Sequence, residues 1–205
     1  MTGSTDTLVW LVDAASVDEA SLAHHVDALG ASERLRHARF VRAERRRQFV
    51  IGRALLRRVL GRLLAVDPSI IALEERAGQA PELVFPEGII AGFSISHSGR
   101  WIACAASMHT RLGIDIERID PARDVLALAS QAFGPDELAH LRGCEPAERH
   151  VSFYRLWCGH EARFKLGSDS VDEHPLDAPG LVGMLACAER LNEAPRMTEV
   201  RLDEC

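Results

Sequence analysis

Residues 112–117 read Leu-Gly-Ile-Asp-Ile-Glu, and 104 positions earlier residues 8–13 read Leu-Val-Trp-Leu-Val-Asp. Both stretches read as strands because apolar and β-branched residues dominate them. The same offset, without a gap, matches Gly30 with Gly134, Glu33 with Glu137 and Phe49 with Phe153. Both halves then share the order strand, helix, short helix, long helix and strands. The sequence therefore predicts an internal duplication of an α+β unit.

Long helices are predicted over about residues 44–64 and 147–166, where apolar residues recur at the spacing of one helical face. A hairpin of buried strands is predicted for residues 93–98 and 101–106, with its turn at Gly99. These elements complete the first half and give the second half its longest helix.

The end of the second half has a weaker pattern. Residues 181–187 and 197–202 are its candidate matching strands. Residues 168–179 are rich in Ser, Asp and Pro and are predicted to form a loop.

Composition limits the classes of protein that fit. The chain has 205 residues, of which 47% are apolar and 26% charged, so it is long enough for one large domain or two small ones. Intrinsic disorder and a fibrous repeat are excluded by this balance. Five cysteines, Cys205 among them, form no close pair, which argues against a disulfide framework. No signal peptide or membrane span is predicted, and we expect a cytoplasmic protein.

Charge is unevenly distributed along the chain. The net charge is −6, yet residues 33–62 hold eleven arginines against two glutamates, a local charge of +9 that leaves −15 elsewhere. Lys165 is the single lysine among 24 basic residues. The basic segment is either a solvated helix face or an anion-binding surface, and charge alone does not separate the two.

Two carboxylates lie on one face of the strand over residues 112–117. The twofold period of a strand places Asp115 and Glu117 together, opposite Ile114 and Ile116. Such a pair repels itself unless a cation lies between, and hard oxygen ligands suit Mg²⁺. The competing interpretation is an edge strand whose polar face is solvated.

Helical spacing of four aligns Trp157, Glu161 and Lys165 along one stripe of the second long helix. This stripe adds a third carboxylate and the single lysine to the candidate site. A surface Glu–Lys pair is the competing interpretation. His97, between two serines at a strand end, is either a ligand-binding group or a structural hydrogen-bonding residue.

Three motifs occur in a fixed order, namely Phe93-Ser-Ile-Ser-His-Ser98, Gly113-Ile-Asp-Ile-Glu117 and Phe153-Tyr-x-x-Trp-x-x-x-Glu-x-x-x-Lys165. With Arg36-x-x-Arg39-Phe40 and Gly52-Arg-Ala-Leu-Leu-Arg57 in the first half, this combination resembles the Sfp-type 4'-phosphopantetheinyl transferases. The resemblance covers most of the chain and is weakest over the last forty residues.

The resemblance implies an α+β fold of two halves, residues 1–108 and 109–205, in a pseudo-twofold arrangement with coenzyme A in the cleft between them. It implies transfer of 4'-phosphopantetheine from coenzyme A to a serine of an acyl or peptidyl carrier protein, with release of 3',5'-ADP. Mg²⁺ would be held by Asp115, Glu117 and Glu161, and the catalytic residues would be Glu161, Lys165 and Asp115. Phosphate contacts would come from Arg36, Arg47, Ser96, His97, His160 and Lys165.

Several departures from the family pattern, including lysines that are missing from this chain, leave an alternative open. His160 stands where the family has lysine before the metal-binding glutamate, and Gly159 lies in the middle of the same helix. The alternative is a catalytically weakened homologue that binds coenzyme A or a carrier protein in a regulatory role. We expect neither a nucleic-acid nor a membrane partner, and we expect a monomer because the duplication supplies both halves of the cleft.

Overall fold

The computed structural model describes residues 7–76, 78 and 80–202 and has an α+β fold, as predicted. Cys205 lies outside the described residues. Strands in these ranges are β1 (Thr7–Asp13), β2 (Ala72–Glu74), β3 (Glu82–Phe85), β4 (Gly92–Ser98), β5 (Trp101–Ser107), β6 (Leu112–Arg118), β7 (Asp172–Ala178), β8 (Leu181–Cys187) and β9 (Met197–Glu199). Helices are α1 (Glu19–Asp27), α2 (Ala31–Arg39), α3 (Ala43–Leu64), α4 (Val125–Ala132), α5 (Pro135–Gly143) and α6 (Pro146–Leu166).

The two halves share their element order and strand pairing. In the first half β1 pairs antiparallel with β5, which pairs with β4. In the second half β6 pairs antiparallel with β8, which pairs with β7. Three helices separate the first strand from the hairpin in each case. This shared topology fits the predicted duplication.

Matched helix starts explain part of the sequence repeat. The Gly30 N–H donates to Glu33 Oε2 at 2.7 Å at the start of α2, and the Gly134 N–H donates to Glu137 Oε2 at 3.2 Å at the start of α5. In each half the glutamate satisfies an amide that the helix leaves unpaired. A glycine and a glutamate three residues apart thus recur because both perform the same capping.

The offset of 104 does not extend to the hairpins. Residues 65–91 of the first half contain the extra β2–β3 pair, which has no counterpart between α6 and β7. The predicted loop over 168–179 is wrong, because β7 occupies most of it. Strand β7 lies at the edge of its three-stranded sheet, where Pro175 and exposed polar residues are tolerated.

The last strand belongs to the first sheet. Residues 197–202 were predicted to match a second-half strand, and this is wrong, since β9 pairs in parallel with β1 and brings Met197 opposite Val9. The four-stranded sheet has the order β4-β5-β1-β9. The chain therefore returns to its first half near its end.

Apolar packing joins the two halves. One buried cluster combines Val9 and Leu11 of β1 with Ile114 and Ile116 of β6 and Leu185 of β8. A second cluster buries the apolar face of α3 on the other side of the first sheet. Burial of this kind is the main stabilising contribution to a fold. Among the described residues, no helix is long and apolar enough to cross a bilayer.

Candidate functional site

Strands β4 and β6 meet through serine side chains. Alternate residues of β4 are serines that face β6, and each hydroxyl accepts one backbone N–H of β6. The bonds run from Ile114 to Ser94 at 3.1 Å, from Ile116 to Ser96 at 3.3 Å and from Arg118 to Ser98 at 3.0 Å. We call this set the serine ladder. It satisfies amides that would otherwise be unpaired at this edge of β6.

Asp115 lies on β6 between two residues of the serine ladder, Ile114 and Ile116, and is only 6% exposed. Its Oδ1 accepts hydrogen bonds from Ser96 Oγ and from Lys165 Nζ, both at 2.7 Å. Its Oδ2 is buried and has no hydrogen-bond partner among the described residues. The solvated-edge interpretation of β6 is therefore wrong at Asp115, whose carboxylate is buried and paired with Lys165.

Lys165 reaches this carboxylate because α6 packs very closely on β6. A Cβ atom at Gly113 would lie 2.0 Å from Ala162 O and 2.7 Å from Leu166 N, so the strand approaches the helix backbone at this glycine. Lys165 Nζ also donates to Ile114 O at 3.0 Å. The lysine thus bonds to β6, and the interpretation of Lys165 as half of a surface Glu–Lys pair is wrong.

Glu117 is the second carboxylate on the same strand face. Ser98 Oγ donates to its Oε2 at 2.5 Å. Burial raises the pKa of Glu117, and the charge of Asp115 raises it further, while the Ser98 bond, Arg123 and Lys165 act in the opposite direction. The two carboxylates therefore lie close enough to affect each other.

A cavity of about 400 Å³ opens beside Glu117. Its wall is mainly aromatic and aliphatic, with Phe153, Tyr154 and Trp157 of α6 facing Leu128 of α4. Such a cavity suits an uncharged, partly apolar ligand group next to the carboxylates.

Glu161 lies on α6, one turn before Lys165, and its side chain is half-buried. It forms no hydrogen bond or ion pair with any other described residue. Within the described ranges no group of three or more His, Cys, Asp or Glu side chains is arranged to hold a metal ion. The structure thus brings together Asp115, Glu117, Ser96 and Lys165 but does not place Glu161 in one ligand group with the two strand carboxylates.

His97 faces α3 rather than the two carboxylates. Its Nε2 lies 2.7 Å from Arg45 Nη1. Partial desolvation lowers the pKa of His97, and the positive charge of Arg45 lowers it further. Sequence reasoning missed Arg45. The signal was its position seven residues before Gly52, whose face of α3 meets Ile95 of β4 and so places Arg45 on the β4 side.

Three further predicted phosphate contacts bond to groups outside the serine ladder. Arg36 pairs with Glu75. Arg47 pairs with Glu19 at 2.7 Å and donates to two carbonyls near the start of α1. His160 Nε2 lies 2.6 Å from Glu137 Oε1, and its ring stacks on Phe133. In this structure these side chains join neighbouring elements, and none of them bonds to Asp115 or Glu117.

The molecule is thus an α+β protein with two segments of similar topology and a buried carboxylate–lysine cluster where β4, β6 and α6 meet. Residues 16–109 match the family model "4'-phosphopantetheinyl transferase, N-terminal", and residues 111–179 match "4'-phosphopantetheinyl transferase superfamily". The two matches adjoin and divide the chain close to the junction between β5 and β6. The chain belongs to the 4'-phosphopantetheinyl transferase superfamily, as the three motifs predicted.

Curated relatives give the same family. The chain is 32% identical over 155 residues to 4'-phosphopantetheinyl transferase HetI of Nostoc sp., which covers 75% of this chain and 65% of that protein. It is 33% identical over 127 residues to 4'-phosphopantetheinyl transferase Sfp of Bacillus subtilis, covering 62% of this chain and 54% of Sfp. Identity to 4'-phosphopantetheinyl transferase AcpT of Escherichia coli is 34% over 122 residues, covering 59% of this chain and 57% of AcpT. The matched regions thus span between 54% and 65% of the length of these relatives.

Proposed function

We propose that this chain transfers the 4'-phosphopantetheine group of coenzyme A to a serine hydroxyl of an acyl or peptidyl carrier protein. The observation that carries the proposal is the buried Asp115, whose Oδ1 is bonded by Ser96 and Lys165 and whose Oδ2 is unpartnered beside Glu117. Phosphoryl transfer requires mainly charge neutralisation and positioning, and these groups supply both.

The residues present fit a divalent cation. Asp115 Oδ2 is a buried acceptor without a donor, and Glu117 lies on the same strand face with its charge opposed by burial. Mg²⁺ in phosphate-transfer sites uses one or two carboxylates and completes its shell with substrate phosphates and water. Asp115 and Glu117 would therefore hold it, with Glu161 as a third candidate from α6. When bound, Mg²⁺ would neutralise charge that develops on the transferred phosphate.

Lys165 and Ser96 would orient the Asp115 carboxylate, since both bond to its Oδ1 and leave Oδ2 free. Arg45, hydrogen-bonded to His97, would supply the neighbouring positive charge that meets a coenzyme A phosphate. The cavity beside Glu117 has the apolar wall expected for the uncharged pantetheine arm.

The carrier serine oxygen would attack the β-phosphorus of coenzyme A, and the bond from that phosphorus to 3',5'-ADP would break. Glu161, directly or through water, would accept the hydroxyl proton. Glu161 has no partner among the described residues, so its carboxylate is available for this role.

The basic segment over residues 33–62 would steer an acidic carrier toward the cleft, and its effect would weaken as salt is raised. The proposal includes a monomer in the cytoplasm, with no nucleic acid or membrane as partner. The pathway served depends on which carrier is modified.

The decisive experiment incubates the protein with coenzyme A, Mg²⁺ and a panel of apo-carrier proteins, followed by intact-mass analysis. Addition of the phosphopantetheine mass is expected, and Asp115→Asn should abolish it. Asp177→Asn is the matched control, because Asp177 of β7 is an exposed carboxylate that pairs with Arg155 of α6. A folded wild-type protein that modifies no carrier would refute the proposal.

The regulatory alternative makes a different prediction in the same experiment. A non-catalytic homologue would bind coenzyme A in a calorimeter without modifying any carrier. Turnover that disappears in Glu161→Gln would exclude that alternative.

A further inference from the structure

A second cavity, of about 340 Å³, lies between α1, α3 and the loop that follows α3. Its lining includes His24 and His25 of α1, Arg57 and Arg58 of α3, and Asp67 of the loop. This cavity shares no lining residue with the one beside Glu117.

Helix geometry places this second cavity away from the serine ladder. Gly52 marks the face of α3 that packs on the first sheet, because a Cβ there would contact Ile95 and Ile102. Ala54, which lines the second cavity, is two residues further and so about 160° around the helix from that face at 3.6 residues per turn. The cavity therefore opens on the opposite side of α3 from β4.

The two arginines of the cavity differ in their partners. Arg57 pairs with the fully buried Glu33 and donates to Ile71 O at 3.2 Å, so its charge is balanced inside the protein. Arg58 Nη1 is buried and has no hydrogen-bond partner among the described residues. Arg58 lines the cavity and forms no ion pair with a described residue, so an anion in the cavity would balance its charge.

The other charged groups at the cavity leave an excess of positive charge. Asp67 is the one carboxylate in its lining, and the Asp67 Oδ1 already accepts the Ser69 N–H at 2.8 Å. The rings of His24 and His25 lie 5.9 Å apart. Burial lowers the pKa of His25, and the charges of Arg58 and His24 lower it further. An anion beside Arg58 would therefore favour protonation of His25.

We propose that this cavity binds a phosphate-type oxyanion through Arg58 and His25, at a site separate from the proposed transfer site. The tetrahedral oxygens of phosphate match the several donors of a guanidinium, which forms charge-assisted hydrogen bonds. The volume admits inorganic phosphate or a small phosphate monoester. The proposal does not depend on the transfer reaction.

The test follows the imidazole resonance of His25 by NMR during pH titrations with and without inorganic phosphate, at an ionic strength held constant with NaCl. The His25 resonance is assigned with His25→Gln. Phosphate should raise the pKa of His25, and Arg58→Gln should weaken phosphate binding about tenfold or more. Without phosphate, Arg58→Gln should itself raise the pKa of His25 because a positive neighbour is removed.

Arg62→Gln is the matched control, because Arg62 is an exposed arginine one turn further along α3 and outside the cavity. It should leave phosphate binding and the His25 titration unchanged. A second arm replaces phosphate with glycerol 3-phosphate. Tighter binding of the ester would assign the site to phosphate monoesters, and equal or weaker binding would assign it to free phosphate.

Two outcomes would overturn the proposal. One is a His25 titration that phosphate does not alter in the wild-type protein. The other is an equal loss of the phosphate-induced rise in the His25 pKa in Arg58→Gln and Arg62→Gln, which would show that phosphate acts through general charge screening.

Discussion

Gly113 in β6 and Gly159 in α6 should respond to alanine substitution with stability changes of opposite sign. At Gly113 of β6 an added Cβ would lie 2.0 Å from Ala162 O, where ordinary contacts require roughly 3.5 Å. The helix would have to move away from the strand by more than 1 Å, which is roughly the difference between these two distances. Overpacking of this kind costs about 1–3 kcal/mol, or more where backbone is the obstacle.

Gly159 of α6 lies in a different environment. The nearest atom to its added Cβ is Arg163 Nη1 at 3.5 Å, which is ordinary contact with the end of a flexible side chain. Alanine in a helix interior is about 1 kcal/mol more stable than glycine. Gly159→Ala should therefore raise the unfolding midpoint by roughly 2–4 °C in a chain of this size, and Gly113→Ala should lower it by at least that amount.

Activity separates the two variants further. Movement of α6 would break the 2.7 Å bond between Lys165 Nζ and Asp115 Oδ1, and a misplacement of about 1 Å can cost on the order of 100-fold in rate. Gly159→Ala should leave the rate of the proposed transfer unchanged. The assays are thermal unfolding and the initial rate of carrier modification by intact mass. A Gly113→Ala protein with wild-type stability and rate would refute the argument that this glycine sets the distance between helix and strand.

Three further predictions concern the serine ladder and its neighbours. Asp115→Asn should keep the Ser96 bond to Oδ1 but lose the negative charge that Lys165 neutralises. Mg²⁺ binding measured by calorimetry should therefore disappear while the fold persists. Mg²⁺ binding as tight as in the wild type would contradict this prediction. In EDTA, Glu117→Gln should be more stable than the wild type above the raised pKa of Glu117, because the wild-type fold loses stability as pH rises through that pKa. The difference in stability should vanish below the ordinary carboxyl pKa of 4.5. Thermal unfolding from pH 4 to 8 measures this difference, and a difference independent of pH would contradict the prediction. Arg45→Gln should weaken coenzyme A binding in a calorimeter by about tenfold and leave carrier affinity unchanged, whereas an effect on the carrier alone would place Arg45 outside the nucleotide site.

Features that depend on periodicity or capping within one element could be predicted from the sequence. The alternation around Asp115 predicted that its side chain and that of Glu117 share one face of β6. The spacing of four aligned Lys165 with Glu161 on α6, but it did not tell which side chain of that stripe contacts β6. Both inferences rest on periodicity within one element, and periodicity survives folding. The recurrence of Gly30 and Glu33 as Gly134 and Glu137 likewise reflects a capping interaction that is local to each helix.

Contacts between distant elements were not accessible in the same way. Strand β7 was predicted as a loop because an edge strand needs few apolar residues, so Pro175 and its polar neighbours gave no strand signal. Arg45 was passed over among eleven arginines because charge alone does not tell which of them faces β4. The burial of Asp115 depends on Ser96, which lies nineteen residues earlier on another sheet.

The duplication produces one carboxylate site rather than two, and the reason lies in what each half places at matching positions. The sequence offset of 104 matches Leu11 of β1 with Asp115 of β6. Leu11 is buried in the apolar cluster that joins the sheets. At the hairpins, Ser96 of β4 corresponds to Leu176 of β7, so the second half has no serine ladder of its own. Strand β1 borders β9, whereas β6 borders the serines of β4. The first half thus supplies the serines of the site and the second half its carboxylates and lysine, so the proposed chemistry would depend on the contact between β4 and β6.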